Sequence, residues 1–219
     1  EHTYKPKHER LKKIVLKKDS FDEAIELALE LHGYVHLPEV SDFAGDTYES
    51  DVWNAISKDN FTKMPTKKDF SVAWHLWHLA RIEDLVSNLL IAENAQVYND
   101  GWHNKLKNTV VDTGNAMKSA AVTEFNANID VDALKDYRNT VARRTREIIN
   151  SLKAEDMSRK PSKKGLERIM QEGGLTQEKE SFWLLDFWGA KTFGGLVLLP
   201  LIRHHVMHLD KCMKLSKRF

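Results

Sequence analysis

The stretch SVAWHLWHLARIEDLVSNLLIA, residues 71–92, holds neither glycine nor proline and repeats Val72, Leu79 and Val86 every two turns, with Leu85, Leu89 and Leu90 widening the stripe. It predicts a long, largely buried helix. Within it WHLWHLARIED, residues 74–84, sets two histidines, two tryptophans and three charges where such a helix is normally aliphatic. The segment is either crowded core or half of a metal site whose other half lies elsewhere in the chain.

The rest of the chain keeps the helical period. Ser20 is placed to cap a helix with Asp22 and Glu23 in its first turn and Phe21, Ala24, Ile25, Ala28, Leu29 and Leu31 at helical spacing, its end loosened by Gly33. A turn-rich stretch follows, then a short helix from Thr47 to Ile56. Asn99-Asp100-Gly101 breaks the chain, Asn108 to Asn115 reads as loop, and a short helix is expected around Ser119 to Phe125. Asp130 predicts the N-cap of a helix striped by Leu134, Tyr137, Val141, Ile148 and Leu152, with basic residues on the opposite side. Ser162 to Glu172 is a short helix closed by Gly173-Gly174. Leu196 to Leu215 is the last long helix, with Pro200 tolerable in or near its first turn. Nothing alternates at period two for long enough to require a sheet. The expected fold is all-α: a four-helix bundle with additional short helices in its connections, formed by residues 1–219 as a single domain.

With 219 residues, 42% of them hydrophobic, the chain can build a substantial core. Thirty-three basic and thirty-two acidic side chains leave a formal net charge of +1, which gives no field to attract nucleic acid or an anionic membrane. The only cysteine, Cys212, excludes an intrachain disulfide and a thiolate zinc cluster, and fits a reducing compartment. The basic first eighteen residues do not resemble a secretory signal, and the apolar run from Gly194 to Ile202 is about half of the roughly 20 residues a membrane-spanning helix needs. A soluble, cytoplasmic protein is expected.

Ten histidines is a high count, and five of them fall on two long helices. In RHHVMHLD, residues 203–210, His204 and His208 are four apart and share a helix face, so both can hold one ion. His205 stands where a zincin would carry its glutamate, which excludes the metalloprotease motif. A third ligand is available as His75 or His78, which lie about 60 degrees apart around their helix, so only one aims at a shared centre. Three neutral imidazoles leave a divalent ion's charge uncompensated and a coordination position open, which lowers the pKa of a bound water or thiol. No glutamate precedes any histidine by three residues, so a mononuclear site is favoured over the di-iron site of bundle cores. A histidine on an apolar helix face is otherwise a hydrogen-bonded core residue. Likewise Arg81 with Asp84 or Glu83 is either an ion pair supporting the site or a surface pair of about a few tenths of a kcal/mol. Trp183, Phe187 and Trp188 belong to a connecting segment that either shapes access or is simply core, and Cys212 reads as a buried structural thiol.

WHLWHLARIEDL at 74–85 and RHHVMHLDK at 203–211, with Thr113-Gly114-Asn115-Ala116-Met117 as weaker support, resemble the motifs of the DinB-like (DinB/YfiT-like) metalloenzyme family. The resemblance runs from the first helix to the last. It implies a four-helix bundle, a homodimer, and a three-histidine site for a divalent ion such as zinc or nickel. Carried onto this chain, the ligands are His204, His208 and His78, the last because it matches the histidine of the Trp-His-x-x-Arg block. Leu209-Asp210-Lys211 departs from the Arg-Gly-Gln that follows the last histidine in many members. Members with assigned chemistry include thiol-dependent transferases and isomerases using bacillithiol, mycothiol or glutathione. The resemblance therefore implies a low-molecular-weight thiol held at the ion and attacking a small-molecule electrophile, with metal-dependent hydrolysis as the close alternative. A metal-stabilised bundle or small-ligand sensor without enzymatic activity is the further alternative.

Overall fold

The computed structural model describes residues 4–41 and 43–219, and His2 lies outside them. Among the described residues all regular structure is helical. In chain order come α1 (Tyr4–Ile14), α2 (Phe21–Tyr34), α3 (Tyr48–Ala55), α4 (Val72–Asp84), α5 (Asp100–Leu106) and α6 (Ser119–Asn128). They are followed by α7 (Val131–Ser151), α8 (Lys163–Gln171), α9 (Lys179–Gly189), α10 (Phe193–Leu198) and α11 (His204–Ser216). The fold is all-α. α4 packs on α7 and α11, while α2 packs on α7 and on the segment leading into α11. This pairing of the long helical runs is consistent with a four-helix bundle.

Side-chain caps fix the starts. Ser71 Oγ accepts from the Trp74 N–H at 3.0 Å, and Asp130 Oδ1 accepts from the Ala133 N–H at 3.0 Å, each satisfying an orphan donor of the first turn. Ser20 occupies the N-cap of α2 without a side-chain capping bond; the 3₁₀ turn Lys18–Ser20 runs straight into the helix, and the Phe21 N–H donates to the Lys18 carbonyl. Asn99, expected to break the chain, also starts α5 by accepting from the Trp102 N–H at 3.1 Å.

Two long helices widen. α4 continues through a π-helical stretch, Leu85–Ile91, and a second, Leu199–Arg203, joins α10 to α11. Pro200 therefore lies inside the second widened stretch rather than in the first turn expected of it. The ring would clash with the carbonyl four residues back in a regular helix, and a π turn relieves that clash. The His204 N–H reaches back to the Leu199 carbonyl. The extra residue rotates everything after it by about 100°. π turns recur at functional sites, and this one immediately precedes the His204 turn.

Two apolar clusters fill the interior. One joins Leu11, Ala28, Leu85, Leu89, Ile149, Trp188, Leu196 and Leu201, and the other joins Val52, Phe61, Leu76, Trp77, Leu134, Val141, Leu209 and Cys212. Burying each large aliphatic side chain supplies about 1.5–3 kcal/mol. Along α4 the change from one cluster to the other falls between Ala80 and Ile82, and on the way into α11 between Ile202 and Val206. Buried polar side chains occupy that level: Arg81, Glu83 and Asp84 on α4, Arg138 on α7, His32 on α2 and His205 and His208 on α11. The candidate site sits in this polar layer.

Candidate metal centre

α4 and α11 lie side by side and bring three imidazoles together. His78 Nε2 is 3.3 Å from His204 Nε2, and the His208 ring lies 4.7 Å from that of His78 and 4.5 Å from that of His204. One donor atom from each of His78, His204 and His208 lies within 4.8 Å of the other two. The i,i+4 pair thus meets the third histidine across the bundle.

The loop after α5 orients the α4 member. His78 Nδ1–H donates to the Thr113 carbonyl at 2.7 Å, which fixes the proton on Nδ1 and leaves the Nε2 lone pair facing His204. Two neighbouring carbonyls are held from the same helix: Arg81 Nε–H donates to Val111 at 2.8 Å and Trp77 Nε1–H to Asp112 at 3.0 Å. Gly114 follows with φ +73, and a Cβ there would stand 2.8 Å from Trp74 Nε1. Trp74 in turn stacks on His78, with centroids 4.8 Å apart and planes within 10°. The Thr113–Met117 stretch, a weak signal in sequence, is the clamp on His78.

His75 lies beside this set. Its Nδ1 is 2.9 Å from His208 Nδ1, close enough for one ring to donate to the other and orient it. Burial pushes the imidazoles down, to about 3 for His75 and about 4 for His78, with the Thr113 carbonyl pulling His78 partly back. Burial, then the neighbouring imidazoles and Lys211, holds His204 and His208 well below the usual histidine value. All four are neutral near pH 7 and offer lone pairs without a proton to displace.

The three imidazoles face an open cavity of about 390 Å³. Its walls are Phe70, Trp74, Ile82, Leu184, Phe187, Trp188, Leu199 and Pro200, with half-exposed Trp183 and Met207 and the amide of Asn115. The aromatic segment read as a connection is helix α9 and forms one wall. Among the described residues, no carboxylate lines this cavity.

Other residues resolve differently from their sequence reading. Arg81 and Asp84 are fully buried: Asp84 accepts from Arg81, Tyr137 O–H, Asn88 and the Val97 and Tyr98 N–H groups, which excludes the surface-pair alternative. Glu83 is not part of that network; its carboxylate meets His32, His36 and His205. Arg138, on α7, is fully buried against Glu49 and His205. Asp210, at the departure from the family motif, accepts from Tyr48 O–H and ties α11 to α3. Cys212 is fully buried and burial pushes its thiol up, so it is packing and not a nucleophile.

The donor set fits a divalent ion. Three neutral imidazoles converge from two helices, one with its tautomer fixed by a backbone carbonyl, and His204 Nδ1 is buried without a hydrogen-bond partner. Over most of the chain, residues 50–210, the sequence matches the family model of the DinB superfamily. The chain belongs to the DinB superfamily. No curated protein matched it. The segment matching the DinB model takes in all three imidazoles and the Thr113 clamp, but begins after His32, His36 and Glu49. No helix among the described residues of this DinB protein is long and apolar enough to cross a membrane.

Proposed function

We propose that this DinB protein is a metal-dependent enzyme in which His78, His204 and His208 hold a divalent ion, zinc or nickel, that activates a thiol or water toward a small-molecule substrate. The observation that carries the reading is the convergence of three neutral imidazoles on an open, aromatic-walled cavity. When bound, the ion supplies Lewis acidity that brings the pKa of a thiol or water toward neutrality. The chain's own groups do the rest. The Thr113 carbonyl keeps the His78 proton on Nδ1, Trp74 holds the ring by stacking, and the α9 aromatics give an apolar substrate a wall that excludes water.

The lack of a carboxylate among the described residues lining the cavity favours thiol-dependent S-transfer over hydrolysis. A thiol has a pKa low enough to lose its proton to solvent near a cation, whereas water attack is normally assisted by a positioned base. The same lack of a base supports the second reading, a metal-stabilised bundle or small-ligand sensor. A homodimer and a cytoplasmic setting belong to the proposal, the latter resting on the single buried cysteine. The deciding assay offers zinc- or nickel-loaded protein an alkyl or aryl electrophile with bacillithiol, mycothiol or glutathione. Thiol consumption that is abolished by His204→Ala supports S-transfer. Turnover of ester or amide substrates without thiol supports hydrolysis, and ligand binding without turnover supports the sensor.

A further inference from the structure

Elsewhere in the same polar layer a second set of ligand-capable atoms converges. His32 stands in the last turn of α2, His36 just beyond it, Glu83 on α4 and His205 on α11, and all four have no exposed surface. The Glu83 carboxylate is their meeting point. His32 Nε2 lies 2.7 Å from Oε1, while His36 Nε2 lies 3.2 Å and His205 Nε2 3.4 Å from Oε2. Donor atoms of His32, His36 and Glu83 all lie within 4.8 Å of one another.

Hydrogen bonding does not account for this arrangement. Only the His32–Glu83 contact has hydrogen-bond geometry; both ring nitrogens of His36, His205 Nε2 and Glu83 Oε2 are buried without a hydrogen-bond partner. Orphaned polar atoms this deep are costly, and several at one point require a shared partner. Lone pairs facing one another at these separations suit a cation. Ligand atoms at tetrahedral corners about 2.0–2.2 Å from an ion are about 3.3–3.6 Å apart, which the 3.2 Å contact of His36 with Glu83 approximates.

We propose that His32, His36 and Glu83 form a second divalent-metal centre, buried and structural, flanked by His205 and separate from the His78–His204–His208 site. Imidazole and carboxylate donors together select zinc or another borderline transition ion. Unlike the first site, this one carries an anionic ligand and lies wholly out of solvent, the pattern of a closed structural centre. Outside the ligands, Arg138 Nε pairs with Glu49 Oε1 at 2.8 Å, and an Arg138 amino group donates to His205 Nδ1 at 3.1 Å, which leaves the His205 proton on Nε2 facing Glu83 and makes His205 a neighbour of the centre and not a ligand. His32 and His36 repeat the i,i+4 spacing of His204 and His208, and both precede the segment matched by the family model.

The test is stoichiometry. Full-length protein without a histidine tag is stripped with chelator, given excess zinc chloride, dialysed and assayed by elemental analysis. Two zinc ions per chain are expected in the wild type, one in His204→Ala/His208→Ala, and none when Glu83→Gln is added to that pair. Retention of one ion by the double variant and its loss with Glu83→Gln supports the buried centre even where the first site and its enzymatic reading fail. If Glu83→Gln does not fold, anomalous diffraction at the zinc edge from wild-type crystals decides. A peak enclosed by His32, His36 and Glu83 supports the centre, and a peak only at His78, or none, overturns it.

Discussion

His78 donates from Nδ1 to the carbonyl oxygen of Thr113 at 2.7 Å, so a backbone atom of a loop sets the tautomer of a side chain on α4. Because no side-chain substitution removes a carbonyl, the loop itself has to be displaced to test the contact. Gly114 has φ +73 and a Cβ there meets Trp74 Nε1 at 2.8 Å, so Gly114→Ala strains the turn and pushes on the indole. Outer-shell losses of this kind typically cost about 10–100-fold in metal affinity. Chelator competition with zinc on Gly114→Ala should show a loss in that range while helicity is kept. An unchanged affinity means the Thr113 carbonyl does not orient the ligand.

His75 and His78 separate by role. His75 reaches His208 Nδ1 at 2.9 Å but is not in the converging set, whereas His78 is. His75→Ala should retain the zinc held by the cavity-facing site with affinity lowered by about 10-fold or more through loss of orientation at His208. His78→Ala should lose that ion outright. Elemental analysis after dialysis distinguishes the two, and loss of the ion from His75→Ala with retention in His78→Ala reverses the assignment.

The Arg81–Asp84–Tyr137 network holds the helix that carries His78. Tyr137 O–H donates to Asp84 at 2.6 Å and an Arg81 amino group donates to Tyr137 Oη at 2.8 Å, all out of solvent. Removing Asp84 leaves Arg81 as an uncompensated buried charge, so Asp84→Ala should cost about 3–5 kcal/mol in urea unfolding. Tyr137→Phe removes one hydroxyl between two charged partners and should cost about 1–3 kcal/mol. Equal costs for the two variants mean the charge pair is not what the network stabilises.

How much of this was legible in the sequence follows from what periodicity encodes. The 3.6-residue stripe of residues 72–92 and the cap at Asp130 depend on nearest neighbours along one helix, and the helices form where those signals stand, although Ser20 makes no capping bond. The His204–His208 pair was equally local, and the family motif supplied its partner on α4. Glu83, Arg138 and Glu49 were not legible, because their burial depends on four helices placing polar side chains at one level. The spacing of His32 and His36 was a readable signal, obscured by Gly33 at the helix end, where a Cβ would press on Ser41 Oγ at 2.7 Å. The π turn at Pro200 was also hidden, since a proline marks a disturbed helix without saying whether the helix ends, kinks or widens.

Metal-free protein should lose stability as pH falls from neutrality. Burial lowers His36 and His75 to about 3 and His78 to about 4, and it lowers His204, His205 and His208 as well. In the unfolded chain these groups titrate near 6.5. Between that value and about 4 the unfolded state therefore binds more protons than the folded state, and stability is fully present above pH 6.5 and lost as pH falls toward the folded values. Glu49 and Asp112 act in the opposite sense, because burial raises their carboxyls, but they are two groups against these six imidazoles. Urea midpoints of chelator-treated protein should fall steeply from pH 7 to pH 5, above the range where ordinary carboxylates titrate. Zinc should raise the midpoint at pH 7 and lose its effect as protons compete for the same lone pairs. A midpoint that is flat or rises over that interval would mean the histidines are not held neutral in the folded protein, and the ready-made donor set at His78, His204 and His208 would go with it.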